Sequence, residues 1–197
     1  MKLNSKQLRV SDPTEEEVKN LKRNPIYLVL DEIIDTYNIG SLFRLADATG
    51  ISKVYLCGNM EYPPSSRIHK AAVGTENWVP WEKRDSTFEV VKELKGKSLQ
   101  PVLPVRKIPT LGEGLPARRS VQIISVEQSP KSIAYSLLPG ALSLPCAVVV
   151  GNETSGISTE VLKESDVIVE LPMHGINKSF NVWGSAAVVI YKILESM

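Results

Sequence analysis

The chain has 197 residues, of which 43% are hydrophobic and 23% are charged, a composition typical of one globular domain with its own core. Its 23 Lys and Arg residues against 22 Asp and Glu leave a net charge near zero, so bulk charge does not indicate a nucleic-acid partner. No apolar run approaches the ~18 residues of a membrane span, and the N-terminal stretch MKLNSKQLRV lacks the apolar core of a signal peptide, so we expect a cytoplasmic protein without membrane contact.

The predicted elements alternate between helices and strands along the chain. In chain order they are a helix at 13–23, a strand at 26–30, a helix at 39–49, a strand at 53–57, a helix at 86–95, a strand at 121–125, a helix at 129–137, a strand at 147–151, a helix at 158–165, a strand at 167–171 and a helix at 180–195. The strands are nearly continuous apolar runs, as expected when both faces of a sheet are covered. This alternation predicts an α/β fold with a mostly parallel sheet flanked by helices.

Capping residues predict the ends of the first two helices. Ser11 or Asp12 precedes Pro13 and is expected to be the N-cap of the first helix. Asn38 is expected to be the N-cap of the second helix. Gly50 follows the last residue of that helix, where a left-handed backbone commonly ends a helix.

The segment 101–120 interrupts the alternation of strands and helices. It holds four prolines and is predicted to be a loop or flap. Its basic residues Arg106, Lys107, Arg118 and Arg119 outnumber its one acidic residue. Two interpretations stay open for this segment: a solvated connection, or a surface that contacts nucleic-acid phosphates.

The cysteines and histidines argue against a metal site. Cys57 and Cys146 lie inside or beside apolar runs and are predicted to be buried thiols of a reducing cytoplasm. No Cys or His residues are paired at the spacing of metal ligands. His69 and His174 are isolated in the sequence, and a loop or surface role is expected for each. We therefore expect no metal.

Two glycine-rich segments match nucleotide-binding motifs only in part. GEGLPA at 112–117 fits G-x-G-x-x-A, but it lies in the Pro-rich segment instead of between a strand and a helix. GNETSGIS at 151–158 has glycines at phosphate-loop spacing, but Ile157 stands where the phosphate-binding lysine is required. Neither segment therefore predicts a dinucleotide site or a phosphate-binding loop.

Residues 38–50 predict a helix with one apolar face and with Arg44 at the edge of that face. An arginine in an otherwise apolar helix calls for an anionic partner, usually a phosphate or a carboxylate. A plain alternative remains, in which Asn38 caps the helix and Arg44 forms an ordinary salt bridge.

Two later segments place polar residues just after predicted strands, where ligands bind in open α/β sheets. One strand ends at Gly151 and is followed by Glu153 in a loop of small residues, whose exposed backbone suits an adenosine moiety. The alternative for this loop is an ordinary tight turn into the next helix. The strand at 167–171 is followed by Ser179 and Asn181, although Ser179 alone is explained equally well as a helix N-cap.

These three segments, in this order, closely resemble the SpoU (TrmH-like) branch of the SPOUT methyltransferases. The matching motifs are N-x-G-x-x-x-R at 38–44, G-N-E-x-x-G at 151–156 and P-M…S-x-N-V at 172–182, and the resemblance covers roughly 25–197. It implies a methyltransferase domain over 25–197 preceded by a short helical extension at 1–24.

The resemblance implies both an activity and a topology. Such enzymes transfer the methyl group of S-adenosylmethionine to a ribose 2′-hydroxyl of tRNA or rRNA, and they need no metal. The expected fold is an α/β sheet with a C-terminal deep trefoil knot, in which about 165–197 passes through a loop near 147–156. The family works as a homodimer with its active site at the interface.

The resemblance also assigns residues to roles. Arg44 would contact the ribose or its phosphate and stabilise developing negative charge, Asn38 would hold Arg44 or the ribose, and Glu153 would orient an arginine across the dimer. Ser179 and Asn181 would anchor the site from the knot. The implied cofactor positions are Ser125, Val126, Val150, Gly151, Leu171, Met173, Ser179 and Phe180.

Contacts with RNA and two rival functions complete the expectations. Arg67 and Lys70, with Lys53, could extend an RNA-binding surface formed by the basic residues of 101–120, although a solvated face is an equal alternative.

The rival functions are a non-catalytic RNA-binding protein that retains the fold and an unrelated α/β nucleotide-binding enzyme. The intact set of five polar motif residues argues against the first rival, and the failed phosphate-loop match argues against the second.

Overall fold

The computed structural model describes residues 12–96 and 120–197. Its elements are α1 (Glu15–Asn20), β1 (Asn24–Asp31), α2 (Thr36–Ala48), β2 (Ile51–Cys57), α3 (Ser66–Ala72), a 3-10 turn (Thr75–Asn77), β3 (Trp81–Arg84), α4 (Thr87–Gly96), β4 (Gln122–Val126), β5 (Ile133–Ala134), a 3-10 helix (Tyr135–Ala141), β6 (Cys146–Gly151), α5 (Thr159–Glu164), β7 (Val167–Glu170) and α6 (Val182–Glu195). The four basic residues predicted in 101–120, Arg106, Lys107, Arg118 and Arg119, lie outside the described residues.

The described strands form one sheet in the order β3-β2-β1-β6-β4-β7-β5. Each pairing between neighbouring strands is parallel, including β1 with β6, where Leu28 stands opposite Val148. The predicted α/β fold with a mostly parallel sheet is therefore confirmed. Parallel strands end at the same edge of the sheet, so the segments that follow β1, β4, β6 and β7 meet there.

Two apolar clusters cover the two faces of the sheet. Leu28 and Leu30 of β1 point into one cluster, which α2, α3 and α6 complete. Val29 points into the other, which α4 and α5 complete. Successive strand residues face opposite sides, so a strand buried on both faces must be apolar at every position. All six residues of β6 are accordingly buried.

Two differences from the predicted elements have physical causes. The helix predicted at 129–137 is wrong: Ile133 pairs with Val169 of β7 as part of a short edge strand, and a 3-10 helix that contains Pro139 follows. Strand pairing here outweighs the weak local preference for helix. The second difference is that α3 and β3 were not predicted, because both are too short to show a periodic pattern.

The predicted N-caps of the first two helices are wrong, because other residues cap their N-termini. Thr14, and not Ser11 or Asp12, is the N-cap of α1, because Thr14 and the glutamate three residues later form a reciprocal capping box. Asp35, and not Asn38, caps α2 by accepting a hydrogen bond from the Tyr37 amide. Asn38 therefore lies inside the first turn of α2, where its side chain is free for another contact.

Both thiols are buried, as predicted. Cys57 and Cys146 are fully enclosed and unpaired, and burial raises the pKa of each thiol to about 12. Among the helices of 12–96 and 120–197, none is both long enough and apolar enough to cross a membrane.

Candidate functional site

A cleft of about 490 Å³ opens at the carboxyl ends of three neighbouring strands, β4, β6 and β7. Its volume falls within the roughly 300–1,000 Å³ range of small-molecule sites. Apolar side chains and exposed backbone groups line it together, and only a few charged groups reach it. Among the lining residues are Val126, Val150, Gly151, Glu153, Leu171, Met173, Ser179, Phe180 and Asn181.

Glu127, the first residue after β4, holds the turn that follows β6. Its Oε2 accepts a 3.0 Å hydrogen bond from the Ile157 amide, and its Oε1 accepts a 2.8 Å bond from the Gln128 amide. Gly156 packs directly against the Glu127 carboxylate in a left-handed conformation with φ of 69°, so a larger residue there would be strained and would displace that carboxylate. The glycines of the G-N-E-x-x-G motif thus serve the packing of the turn, because a Cβ on Gly151 would also overlap the Gly156–Ile157 backbone.

The loop between β7 and α6 forms the opposite wall of the cleft. Gln128 fastens this loop, since its side-chain amide donates to the Lys178 carbonyl. Phe180 is 55% exposed and lies across Gly184 at the start of α6, where a Cβ would come within 2.7 Å of the phenyl ring. Glu127 and Gln128 therefore each hydrogen-bond to one wall of the cleft. Sequence reasoning missed these two residues, although their position directly after a buried strand was a usable signal.

Glu153 connects the turn after β6 with the start of α2. Its carboxylate accepts hydrogen bonds from the backbone amides of Ile34 (2.8 Å) and Asp35 (3.1 Å) and from Nδ2 of Asn38 (2.9 Å). Asn181 then donates from Nδ2 to Oδ1 of Asn38 at 3.1 Å. Three residues from distant parts of the sequence thus form one hydrogen-bonded chain at the edge of the cleft.

Hydrogen bonding controls the ionisation of Glu153. Partial burial on its own raises the pKa of this carboxyl group, but the hydrogen bonds from Asn38 and from the Ile34 and Asp35 amides outweigh burial and bring the pKa below its ordinary value. Glu153 is therefore a carboxylate at neutral pH, and as a carboxylate it can only accept hydrogen bonds. This fixes the amide of Asn38 with its NH2 group toward Glu153 and its oxygen toward Asn181.

The family model described as "SpoU rRNA Methylase family" matches residues 25–191. The chain belongs to this family.

Two relatives are identical to this chain at about a quarter of the aligned positions. It is 24% identical over 180 residues to the tRNA (guanosine(18)-2'-O)-methyltransferase of Borreliella burgdorferi, an alignment covering 91% of this chain and 70% of the relative. It is 28% identical over 177 residues to the 23S rRNA (guanosine-2'-O-)-methyltransferase RlmB of Neisseria meningitidis, covering 89% of this chain and 60% of the relative. The chain therefore spans less than two thirds of the length of some relatives.

Two solved structures of RNA-modifying enzymes share the fold. The AdoMet-bound rRNA methyltransferase from Sinorhizobium meliloti superposes with a TM-score of 0.71 at 20% identity, covering 90% of this chain and 58% of that one. The A. aeolicus TrmH/SpoU tRNA modifying enzyme gives a TM-score of 0.71 at 23% identity, covering 92% of this chain and 83% of that one.

Four of the five polar SpoU motif residues come together at the cleft. Glu153, Ser179 and Asn181 line it, and Asn38 is bonded to two of these three. Ser179 does not cap α6, because the Asn181 side chain accepts the capping hydrogen bond from the Trp183 amide at 3.0 Å.

Arg44 stands apart from this group. Its side chain is exposed on α2, does not line the cleft, and makes no hydrogen bond or ion pair with any residue of 12–96 or 120–197. The ordinary salt bridge considered for Arg44 is thus absent within the described part of the chain. Glu153 was expected to orient an arginine across a dimer, and that role stays a prediction; within this chain its carboxylate binds the backbone amides just before α2.

The remaining predicted site residues fall into three groups. Of the implied cofactor positions, only Ser125 fails to line the cleft, because it is fully buried and its hydroxyl pairs with that of Ser165 at 2.6 Å. Arg67 and Lys70 are exposed on α3. Lys53 forms an ion pair with Glu82 at 2.6 Å on the sheet.

Proposed function

We propose that this protein is an S-adenosylmethionine-dependent methyltransferase that acts on a ribose 2′-hydroxyl of tRNA or rRNA. The observation that carries the proposal is the hydrogen-bonded chain Glu153–Asn38–Asn181 at the rim of the cleft. It draws residues of all three family motifs to one place, next to a cavity large enough for a nucleoside cofactor. The guanosine 2'-O-methyltransferase names of two relatives agree with this reaction.

The residues present fit S-adenosylmethionine. Leu171, Met173 and Phe180 offer apolar surface for the adenine ring, and the backbone near Val126 and Gly151 offers hydrogen-bonding groups at strand ends. When bound, the cofactor supplies a methyl group already activated on a sulfonium, so the proposed reaction calls on no metal. The cleft's task is to hold this group in line with the attacking oxygen.

The proposed role of Arg44 is electrostatic. A guanidinium stays protonated in proteins, so Arg44 cannot serve as a free base, but it can stabilise the negative charge that develops on the 2′-oxygen or hold the neighbouring phosphate. Asn181, held in place by Asn38, orients the ribose at the rim. The side chain of Arg44 is exposed and lies outside the cleft of its own chain.

That position supports a homodimer whose active site lies at the interface. In such a dimer, Arg44 of one protomer serves the cleft of its partner. A two-fold interface would create two identical sites, each completed by the other chain.

The finer architecture is part of the same proposal. We infer that about 165–197 passes through the loop near 147–156 in a deep trefoil knot, that 25–197 is the methyltransferase domain, and that 1–24 is a short extension. Support comes from the motif resemblance and from the position of β4 between β6 and β7 in the sheet. The proposed location is the cytoplasm, where tRNA and rRNA are available.

Transfer of a labelled methyl group tests the function directly. The protein is incubated with methyl-labelled S-adenosylmethionine and total cellular RNA, and the RNA is then digested to nucleosides. We expect the label in a 2′-O-methylnucleoside, and sequencing of the labelled fragment would identify the target. Binding of RNA without transfer of label would contradict the proposal and favour a non-catalytic RNA-binding protein.

A further inference from the structure

A second cleft, separate from the one at β4, β6 and β7, lies on the other side of Glu153. It measures about 750 Å³ and is formed by Ile33 and Ile34 after β1 and by the loop 59–65 between β2 and α3. The Ile34 amide donates to Glu153 Oε2 at 2.8 Å, so the floor of this second cleft is bonded to the residue that organises the proposed active site. The Ile34–Glu153 hydrogen bond therefore connects the second cleft to the rim of the proposed active site.

Two exposed apolar side chains lie on the surface of the second cleft. Ile34 is 61% exposed and Tyr62 is 42% exposed, and both line the cleft. A tyrosine ring offers a flat face for stacking at a low cost in conformational entropy.

Positive charge borders this apolar surface. Lys83 of β3 places its Nζ over one face of the Tyr62 ring, 4.3 Å from the ring centre, so a stacked base would take the opposite face. Helix α3 begins directly after the cleft loop and presents exposed Arg67 and Lys70. The acidic Glu61 of the same loop, whose carboxylate accepts a 2.9 Å hydrogen bond from the Ser65 hydroxyl, adds one negative charge beside these cations.

An aromatic platform beside several cations is the chemistry that binds single-stranded nucleic acid, in which bases stack on rings and phosphates meet basic side chains. We propose that the second cleft binds the base of an unpaired nucleotide adjacent to the methylated one in the RNA substrate. The base stacks on Tyr62, and Arg67 and Lys70 contact the phosphates on its flank. This inference rests on the proposed RNA methyltransferase function and adds a substrate-selecting site to it.

Binding of a fluorescein-labelled single-stranded oligoadenylate tests the site without requiring catalysis. We expect Tyr62→Ala to weaken binding roughly tenfold or more and Tyr62→Phe to bind like the wild type, because phenylalanine keeps the stacking face. The double variant Arg67→Ala/Lys70→Ala should instead make oligoadenylate binding less sensitive to salt. The slope of the logarithm of the association constant against the logarithm of the salt concentration should become shallower by about 1.4. Leu137→Ala is the matched control, since Leu137 is 63% exposed but follows β5 at the far edge of the sheet.

The methyl-transfer assay with total RNA supplies a second readout. Tyr62→Ala should raise the KM for RNA by a similar factor and leave the affinity for S-adenosylmethionine unchanged. Wild-type binding and KM in Tyr62→Ala would overturn this inference while the proposed function stands. Absence of transfer by the wild type, with oligoadenylate binding still dependent on Tyr62, would instead overturn the proposed function. A Tyr62→Ala protein that becomes monomeric would show that a second copy of the chain covers the cleft, and would also overturn the inference.

Discussion

Asn181 donates a 3.1 Å hydrogen bond to Asn38, a residue 143 positions earlier in the chain. Asn38 is 95% buried and uses its NH2 group at the same time to bind Glu153 at 2.9 Å. One amide thus joins the start of α2, the turn after β6 and the start of α6. Aspartate has nearly the same shape as asparagine but cannot make both contacts.

Replacement of Asn38 by aspartate should lower both the stability of the protein and its methyl-transfer activity. Asn38→Asp removes the donor and sets a second carboxylate against Glu153. We expect the free energy of unfolding to fall by about 1–3 kcal/mol. We also expect most of the methyl-transfer activity to be lost. Urea unfolding and the labelled-methyl assay measure the two effects. Asn77→Asp is the control, because Asn77 is exposed in a 3-10 turn. Equal free energies of unfolding for the two variants would show that the Asn38 contacts do not stabilise the fold.

The stability of the protein should depend on Glu153 only above acidic pH. The folded pKa of Glu153 lies below its unfolded value, so the stabilising effect of the carboxylate is fully present above the unfolded pKa and is lost as the pH falls through the folded pKa. We therefore expect Glu153→Gln to be less stable than the wild type at neutral pH, with a gap that narrows below a pH of about 4.5.

Urea unfolding at a series of pH values measures that gap. The control is Glu160→Gln, since Glu160 is exposed and makes no hydrogen bond within 12–96 or 120–197. A gap between wild type and Glu153→Gln that stays constant from neutral to acidic pH would contradict the assignment of Glu153 as a hydrogen-bonded carboxylate.

Much of the sheet could be predicted from sequence because its strands are buried on both faces. The run AVVVG predicts a central strand, and the structure has β6 at Cys146–Gly151. Gly50 was also predicted correctly, as its φ of 61° ends α2 in the left-handed region. Such signals are local: they depend on side chains close together in the sequence.

Contacts between distant segments left no such signal. Asn38 was expected to cap α2, because an asparagine before an apolar helix is a common cap, and only the fold brings Glu153 to its side chain. The role of Glu127 depends on the turn around Gly156, which sequence patterns do not reveal. The motif residues could therefore be identified from sequence, whereas the contacts that position them could not.

Glu127 and Gly156 should control cofactor affinity. Glu127→Gln replaces one acceptor oxygen by an NH2 group, which would face the Gln128 or the Ile157 amide. We expect the Kd for S-adenosylmethionine to rise about tenfold, with transfer largely restored at saturating cofactor. Gly156→Ala should act in the same direction, because alanine would overlap the Glu127 carboxylate.

Isothermal titration calorimetry of cofactor binding checks both variants. Gly140→Ala is the control, since an added Cβ there meets nothing within 4 Å. Unchanged affinity in Glu127→Gln and Gly156→Ala would mean that the turn after β6 does not shape the cofactor site.

Arg44 should be required for transfer but not for cofactor binding. Arg44→Ala should abolish methyl transfer and leave the Kd for S-adenosylmethionine nearly unchanged, because Arg44 does not line the cleft of its own chain. Arg44→Lys should recover only part of the activity, since lysine keeps the charge but loses the planar fork that grips phosphate or ribose oxygens. An equal loss of cofactor affinity in Arg44→Ala would show that the role assigned to Arg44 is wrong.

Mixed dimers decide whether Arg44 acts on its own chain or on the partner. Arg44→Ala and Glu153→Ala are each expected to be inactive. If Arg44 serves the partner's cleft, mixing and reassembling the two variants should restore about a quarter of wild-type activity, because half of the dimers are mixed and each of these holds one intact site. If Arg44 acted within its own chain, a mixed dimer would contain no intact site, and the mixture would stay inactive. Size-exclusion chromatography with light scattering, run on each variant, separates this outcome from a simple failure to assemble.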